Sequence, residues 1–98
     1  MNEMVYQRRL IERLEGRFPG CVIFKPNPAE LQGAPDLLIL YGDTWAMLEV
    51  KMDNNSPVQP NQSYYIDMFN AMSFAAFINP RIEEEVLDAL QSTFGAAG

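Results

Sequence analysis

The chain has 98 residues, of which 48% are hydrophobic, 11% aromatic and 20% charged, and it carries a formal net charge of −6. That balance fits an ordinary globular chain rather than a disordered or membrane-embedded one, and the length leaves room for a single core, so one domain spanning 1–98 is expected. A single cysteine, Cys21, and no histidine exclude an intramolecular disulfide and the familiar zinc-ligand spacings.

Residues 3 to about 18 form an amphipathic pattern. At helical spacing Leu10, Ile11, Leu14 and Phe18 share one side, Arg9, Glu12 and Arg13 fall off it, and Pro19-Gly20 ends the run. This N-terminal stretch is broken by charges every few residues, so neither a signal-peptide core nor a membrane span is expected, and a cytoplasmic location fits best. Cys21 to Lys25 is a short β-rich run. Pro26-Asn-Pro28 cannot continue a central strand and opens a loop that reaches Gly33. Asp36 to Tyr41 and Trp45 to Lys51 are two apolar runs separated by Gly42-Asp43-Thr44, which predicts an antiparallel hairpin. A polar loop follows from Met52 to Asn61, with Asn54-Asn55 in it and Pro60 suited to a first helical turn. Gln62 to about Met72 is expected as a helix, Phe74 to Ile78 as a strand, and Arg81 to about Phe94 as a last helix before a frayed tail at 95–98. The order α-β-β-β-α-β-α predicts an α/β fold with a mixed four-stranded sheet and a C-terminal helix.

Asp36 opens one apolar run, and Glu49 and Lys51 interrupt the next at i and i+2, which places both on one face of a strand. Two carboxylates converging from neighbouring strands suit Mg²⁺ or Mn²⁺, and the Val50 carbonyl can add another oxygen. A lysine beside them can orient the attacking water and stabilise charge that builds up in phosphodiester hydrolysis. Singly, each of these residues is as readily a solvated strand position or one half of a cross-strand ion pair. The combination is what carries the chemistry.

Gly33-Ala-Pro-Asp36 followed by Leu48-Glu-Val-Lys51 resembles the signature of the PD-(D/E)XK nucleases, especially the small branch of VRR-NUC domains and Holliday-junction resolvases. A Val-Arg-Arg run itself is absent. The resemblance covers nearly the whole chain and implies the restriction-endonuclease-like α-β-β-β-α-β core. It also implies a divalent-metal-dependent endonuclease acting on DNA, commonly as a homodimer, with structure-selective cleavage of a flap, fork or junction. In that branch a glutamate of the first helix completes the acidic site. Glu3 is the candidate because the helical wheel puts it, with Gln7, on the side of Leu10 and Leu14, whereas Glu12 falls opposite. The plain alternative is an N-terminal residue favoured by the helix dipole.

The branch also has a glutamine opening the helix after the lysine strand. Gln62 is preferred and Gln59 is its rival; either could instead serve as a helix cap. Lys25 and Gln7 are candidates for contacting the substrate, and Trp45, Tyr64 and Tyr65 could stack on bases or be buried. A net charge of −6 argues against a broad nucleic-acid surface. Cations gathered by the acids, and the run Arg8, Arg9, Arg13, Arg17, soften that objection. A second reading, from a different class, is a catalytically silent nucleic-acid-binding or interaction module on the same fold; the intact Asp36, Glu49 and Lys51 set argues against it.

Overall fold

A computed structural model describes residues 1–53 and 57–95 of the chain. The first helix, α1 (Glu3–Arg17), begins where the Asn2 side chain accepts a hydrogen bond from the Val5 amide at 2.8 Å. It is followed by β1 (Val22–Phe24), β2 (Leu37–Tyr41), β3 (Thr44–Val50), α2 (Pro60–Met72), β4 (Ala75–Ile78) and α3 (Glu83–Phe94). The expected element order is therefore present, with ends shifted by a residue or two. Asn54, Asn55 and the tail at 96–98 lie outside the described residues.

The strands form one sheet in the order β1-β2-β3-β4. β1–β2 and β2–β3 are antiparallel and β3–β4 is parallel, so the sheet is mixed. The β2–β3 hairpin turns on Gly42-Asp43, between the paired Tyr41 and Thr44. Gly42 has φ +60°, the positive value that a tight hairpin asks of its first turn residue and that glycine adopts without a Cβ clash.

Alternation along the strands divides the side chains between two layers. On one face Leu37, Ile39, Ala46, Leu48, Val50 and Ile78 pack against Tyr6, Leu10, Leu14 and Phe18 of the α1 segment and Val86, Leu87, Leu90 and Phe94 of α3. Tyr6, which the wheel of leucines did not single out, is buried there, and its hydroxyl donates to Glu83 at 2.7 Å. Arg13 bonds to Glu83 and Glu84, and Arg17 to Asp88 at 2.7 Å, so these ion pairs tie α1 to α3. On the opposite face Ile66 of α2 packs on Met47 and Ala75, with Leu38, Trp45, Phe69 and Phe77 around them.

α3 starts two residues later than the sequence suggests. The buried Asn79 accepts from the amides of Arg81 and Ile82 at 3.0 and 3.2 Å, holding them in a turn that precedes the helix.

Candidate active site

The site grows out of the hairpin register. Leu37 pairs with Leu48, and one step further the same register brings Asp36 opposite Glu49, on the α2 face of the sheet. Asp36 Oδ2 accepts from the Val50 amide at 2.8 Å, which fixes its carboxyl at the end of β3. Because a strand residue directs its N–H and C=O to the same neighbour, the Val50 carbonyl is turned to the Asp36 side as well.

Glu49 is 7% exposed. Gln62 donates to its Oε2 at 2.8 Å, while Oε1 is buried with no hydrogen-bond partner among the described residues. Gln62 is itself held: its Oε1 accepts from the Gln59 amide at 3.2 Å, the backward half of a capping arrangement, with Pro60 occupying the first turn of α2. Gln59 is the N-cap residue, and Gln62 serves twice, accepting from the Gln59 amide through Oε1 and donating to the carboxylate through Nε2.

Two acids this close cannot both ionise freely. Burial pushes the Glu49 carboxyl up to about 8, and the charge of Asp36 adds to that. Burial also raises Asp36, opposed by the Val50 amide, by a proton shared with Glu49 and by the charge of Lys25. With both ionised there is no proton between them, and Glu49 Oε1 is left bare; with one proton present the two carboxyls become a hydrogen-bonded pair. An unpartnered buried carboxylate oxygen costs free energy unless something positive meets it, and a hard divalent cation matches this donor set.

Glu3 lies in the first turn of α1, accepting from Gln7 at 3.2 Å. Its carboxyl is raised by partial burial and by the charge of Asp36, and its own charge contributes to the shift at Glu49. Of the two helix acids, Glu3 is thus the one whose charge bears on the pair, whereas Glu12 borders a hollow beside Tyr6 and Arg13. Among the described residues no three acidic, histidine or cysteine groups cluster closely enough to hold a metal ion by themselves, so Glu3 stands beside the pair rather than closing a shell with it. Gln7 reaches the site only through Glu3. Lys25 is near enough for its charge to bear on Asp36.

Lys51 directly follows β3. Its amide donates to the Ile78 carbonyl at 2.9 Å, its carbonyl accepts from Asn79 Nδ2 at 3.0 Å, and its ammonium donates to the Asp53 carbonyl at 2.6 Å rather than to a carboxylate. The sequence pattern did not single out Asn79, a buried side chain that fixes the backbone under Lys51 and starts the α3 turn at the same time. An asparagine before proline at a strand end was the one signal it offered. Of the arginine run, Arg13 and Arg17 are committed to α3 and add no free charge to the site.

A hollow of about 560 Å³ lies elsewhere, bordered by Met1, Tyr6, Arg9, Glu12, Arg13, Pro80 and Glu83. Tyr6, Arg13 and Glu83 are already bonded to one another there, so the carboxyl pair is the better candidate for chemistry.

The paired carboxylates on a mixed α/β sheet define a restriction-endonuclease-like arrangement, the one that the PD-(D/E)XK resemblance implied. The particular likeness is to VRR_NUC domains of that superfamily. One solved structure described as "VRR_NUC domain" is 25% identical, with a TM-score of 0.70, over 88% of this chain and 94% of that one. A second, a "VRR_NUC domain protein", is 21% identical at a TM-score of 0.67, over 95% and 88%. Hjc, a Holliday junction resolvase from Archaeoglobus fulgidus, is more distant, at 19% identity and a TM-score of 0.46 over 76% and 68%. No family model and no curated protein sequence matches the chain. No helix among the described residues is long and apolar enough to cross a membrane.

Proposed function

We propose that the chain is a Mg²⁺- or Mn²⁺-dependent endodeoxyribonuclease that hydrolyses phosphodiester bonds in branched DNA, such as a flap, fork or junction. The observation that carries this reading is the buried Asp36–Glu49 pair on a VRR_NUC-like fold, with Glu49 Oε1, when both acids are ionised, lacking a hydrogen-bond partner among the described residues. Asp36, Glu49 and the Val50 carbonyl would hold the cation, with Glu3 as the outer acid. When bound, such an ion supplies positive charge against the phosphate and makes water a better nucleophile near neutral pH.

The protein's own groups do the positioning. Gln62 holds Glu49 through Oε2, and Oε1 has no hydrogen-bond partner among the described residues. The Val50 amide prevents Asp36 from swinging out. Lys51, on a backbone pinned by Ile78 and Asn79, brings a cation that can leave the Asp53 carbonyl for a substrate oxygen and stabilise charge as the phosphate is attacked. Lys25 is placed to meet a neighbouring phosphate. A homodimer would present two such pairs to two strands; sedimentation would test it.

The deciding experiment is a cleavage screen of linear, nicked, flapped and four-way DNA with Mg²⁺ or Mn²⁺. Metal-dependent cutting that Asp36→Ala removes supports the assignment. No cutting of any substrate with either ion would overturn it.

A further inference from the structure

The α2 face of the sheet is roofed across only half its width. α2 packs chiefly on β3 and β4 and reaches β2 at Leu38, while Val22, Phe24 and Leu40 lie outside that cluster. Val22 pairs with Leu40 and Phe24 with Leu38, and paired residues share a face. Leu38 belongs to the cluster under α2, so Val22, Phe24 and Leu40 lie on the same side as Glu49. They are 50%, 52% and 38% exposed.

This patch adjoins the candidate active site. Asp36 stands immediately before β2, two residues from Leu38 and so on its face, and Phe24 lies across from Leu38. Phe24 is therefore a diagonal neighbour of Asp36, about 7–8 Å away by strand geometry, or about two base steps of 3.4 Å along a nucleic-acid strand. Lys25, the next residue, carries the charge that bears on Asp36.

We propose that Phe24, flanked by Val22 and Leu40, is a stacking platform for an unpaired nucleobase of the strand whose phosphate lies at Asp36 and Glu49. The proposal rests on the nuclease reading above and names its substrate class: DNA that is single-stranded beside the cut. The chemistry favours this occupant. A duplex presents phosphates, which call for cations, and Val22, Phe24 and Leu40 offer none. A base in a duplex already has both faces stacked, whereas an unpaired base has a free apolar face that an exposed ring can take. Size argues against a second copy of the chain. Three partly exposed side chains present on the order of 200–300 Å², against about 800 Å² per partner in a stable dimer.

The test uses the full chain with Phe24→Ala and Phe24→Trp. The probe is a single-stranded DNA oligonucleotide carrying 2-aminopurine, followed by fluorescence and anisotropy in EDTA, beside a duplex of the same sequence; cleavage of a flap is assayed separately in Mn²⁺. Phe24→Ala is expected to weaken single-strand binding about tenfold, in line with the loss of one stacked base, and to abolish the quench. It should raise KM for the flap far more than it lowers kcat, and leave duplex binding and Mn²⁺ affinity as they were. Phe24→Trp should restore the quench.

Equal losses on single strand and duplex, or no loss on either, would overturn the platform even if the parent protein cleaves. A change from dimer to monomer in Phe24→Ala, seen by sedimentation without a change in the quench, would assign the patch to a second copy instead. Binding and quenching as expected, with no cleavage by the parent, would leave the platform standing and remove the nuclease reading.

Discussion

On one side of the sheet α1 and α3 close over Leu37, Ile39, Leu48 and Ile78, each fully buried, and their outer edges are bridged by Arg13, Arg17, Glu83 and Asp88. On the other side α2 covers β3 and β4, a buried glutamate sits under its first turn, and Val22, Phe24 and Leu40 are left open. The first layer satisfies its charges in pairs across two helices. The second keeps two carboxyls together; burial raises both, and among the described residues no cation is bonded to either and one Glu49 oxygen has no hydrogen-bond partner. That difference is the reason for proposing the site in the second layer. The layer that departs from good packing and full polar satisfaction is where a ligand would complete the structure.

Substitutions in the open layer should therefore remove activity without unfolding the protein, and those in the closed layer should do the reverse. The largest expected effect is on turnover. Asp36→Ala or Glu49→Ala should abolish cleavage and Mn²⁺ binding, read by calorimetric titration, with no loss in melting temperature, since neither residue fills the core between the helix pair and the sheet. Unchanged affinity and turnover in either variant would remove the site from these residues. Lys51→Met should come next, with almost complete loss, while Lys51→Arg, which keeps the charge in another geometry, should retain a measurable part. Both should still bind Mn²⁺, because the ammonium is not a ligand.

Leu14→Ala is the counterpart in the closed layer. Leu14 is fully buried between α1 and the sheet, and its truncation should cost about 2–5 kcal/mol in urea unfolding. Mn²⁺ affinity below the melting range should be unaffected. A metal-binding defect as large as the one expected for Glu49→Ala would mean that the two layers are not separable in this way.

The closed layer and the hairpin were largely legible in the sequence, and the carboxyl pair partly so. Gly42-Asp43-Thr44 marks the hairpin, but counting outward from a three-residue turn would set Asp36 against Val50; the structure places Thr44 in β3, opposite Tyr41, and that shift of one residue is what brings Asp36 opposite Glu49. The wheel also favoured Glu3 over Glu12, and in the structure it is the charge of Glu3 that bears on the pair. What could not be read were contacts set by docking rather than by local pattern. Arg13 and Glu83 are 70 residues apart, so the arginine run resembled a free basic patch until α3 was placed beside it. Asn79 joins two segments, Lys51 and the start of α3, and the exposure of Phe24 depends on where α2 stops along the sheet. Neither leaves a periodic trace.

The pH dependence of the metal-free protein probes the open layer alone. Glu49, at about 8 in the folded state, holds a proton that the unfolded chain releases nearer pH 4, and Asp36 is raised in the same direction. Through this pair the folded state binds more protons over that window, so stability is expected to fall as pH rises from about 4.5 towards 8. The fall can be no steeper than about 1.4 kcal/mol per pH unit for each proton involved. Glu49→Gln should flatten the curve measured in EDTA, and Mn²⁺ should restore stability near pH 8 in the parent only. A parent curve that rises over this window would contradict the buried acid pair.

The smallest expected effect separates the two helix acids. Glu3 feels the charge of Asp36 and adds to the shift at Glu49, whereas Glu12 borders the hollow beside Tyr6 and Arg13. Glu3 is also exposed and bonded to Gln7, so it should tune the site rather than form its centre. Glu3→Gln keeps the side chain's size and removes its charge. It should lower Mn²⁺ affinity and turnover by about tenfold, the ~1.4 kcal/mol expected of one charge acting across a partly solvated gap, and raised Mn²⁺ should recover part of the rate. Glu12→Gln should leave both within twofold. Because both substitutions reduce the net negative charge equally, any general gain in DNA attraction is common to the pair and cancels in the comparison. Equal losses would put the wheel of α1 out of phase with the site; a larger loss for Glu12 would move the outer acid to the other side of the helix, and with it the direction from which the substrate approaches.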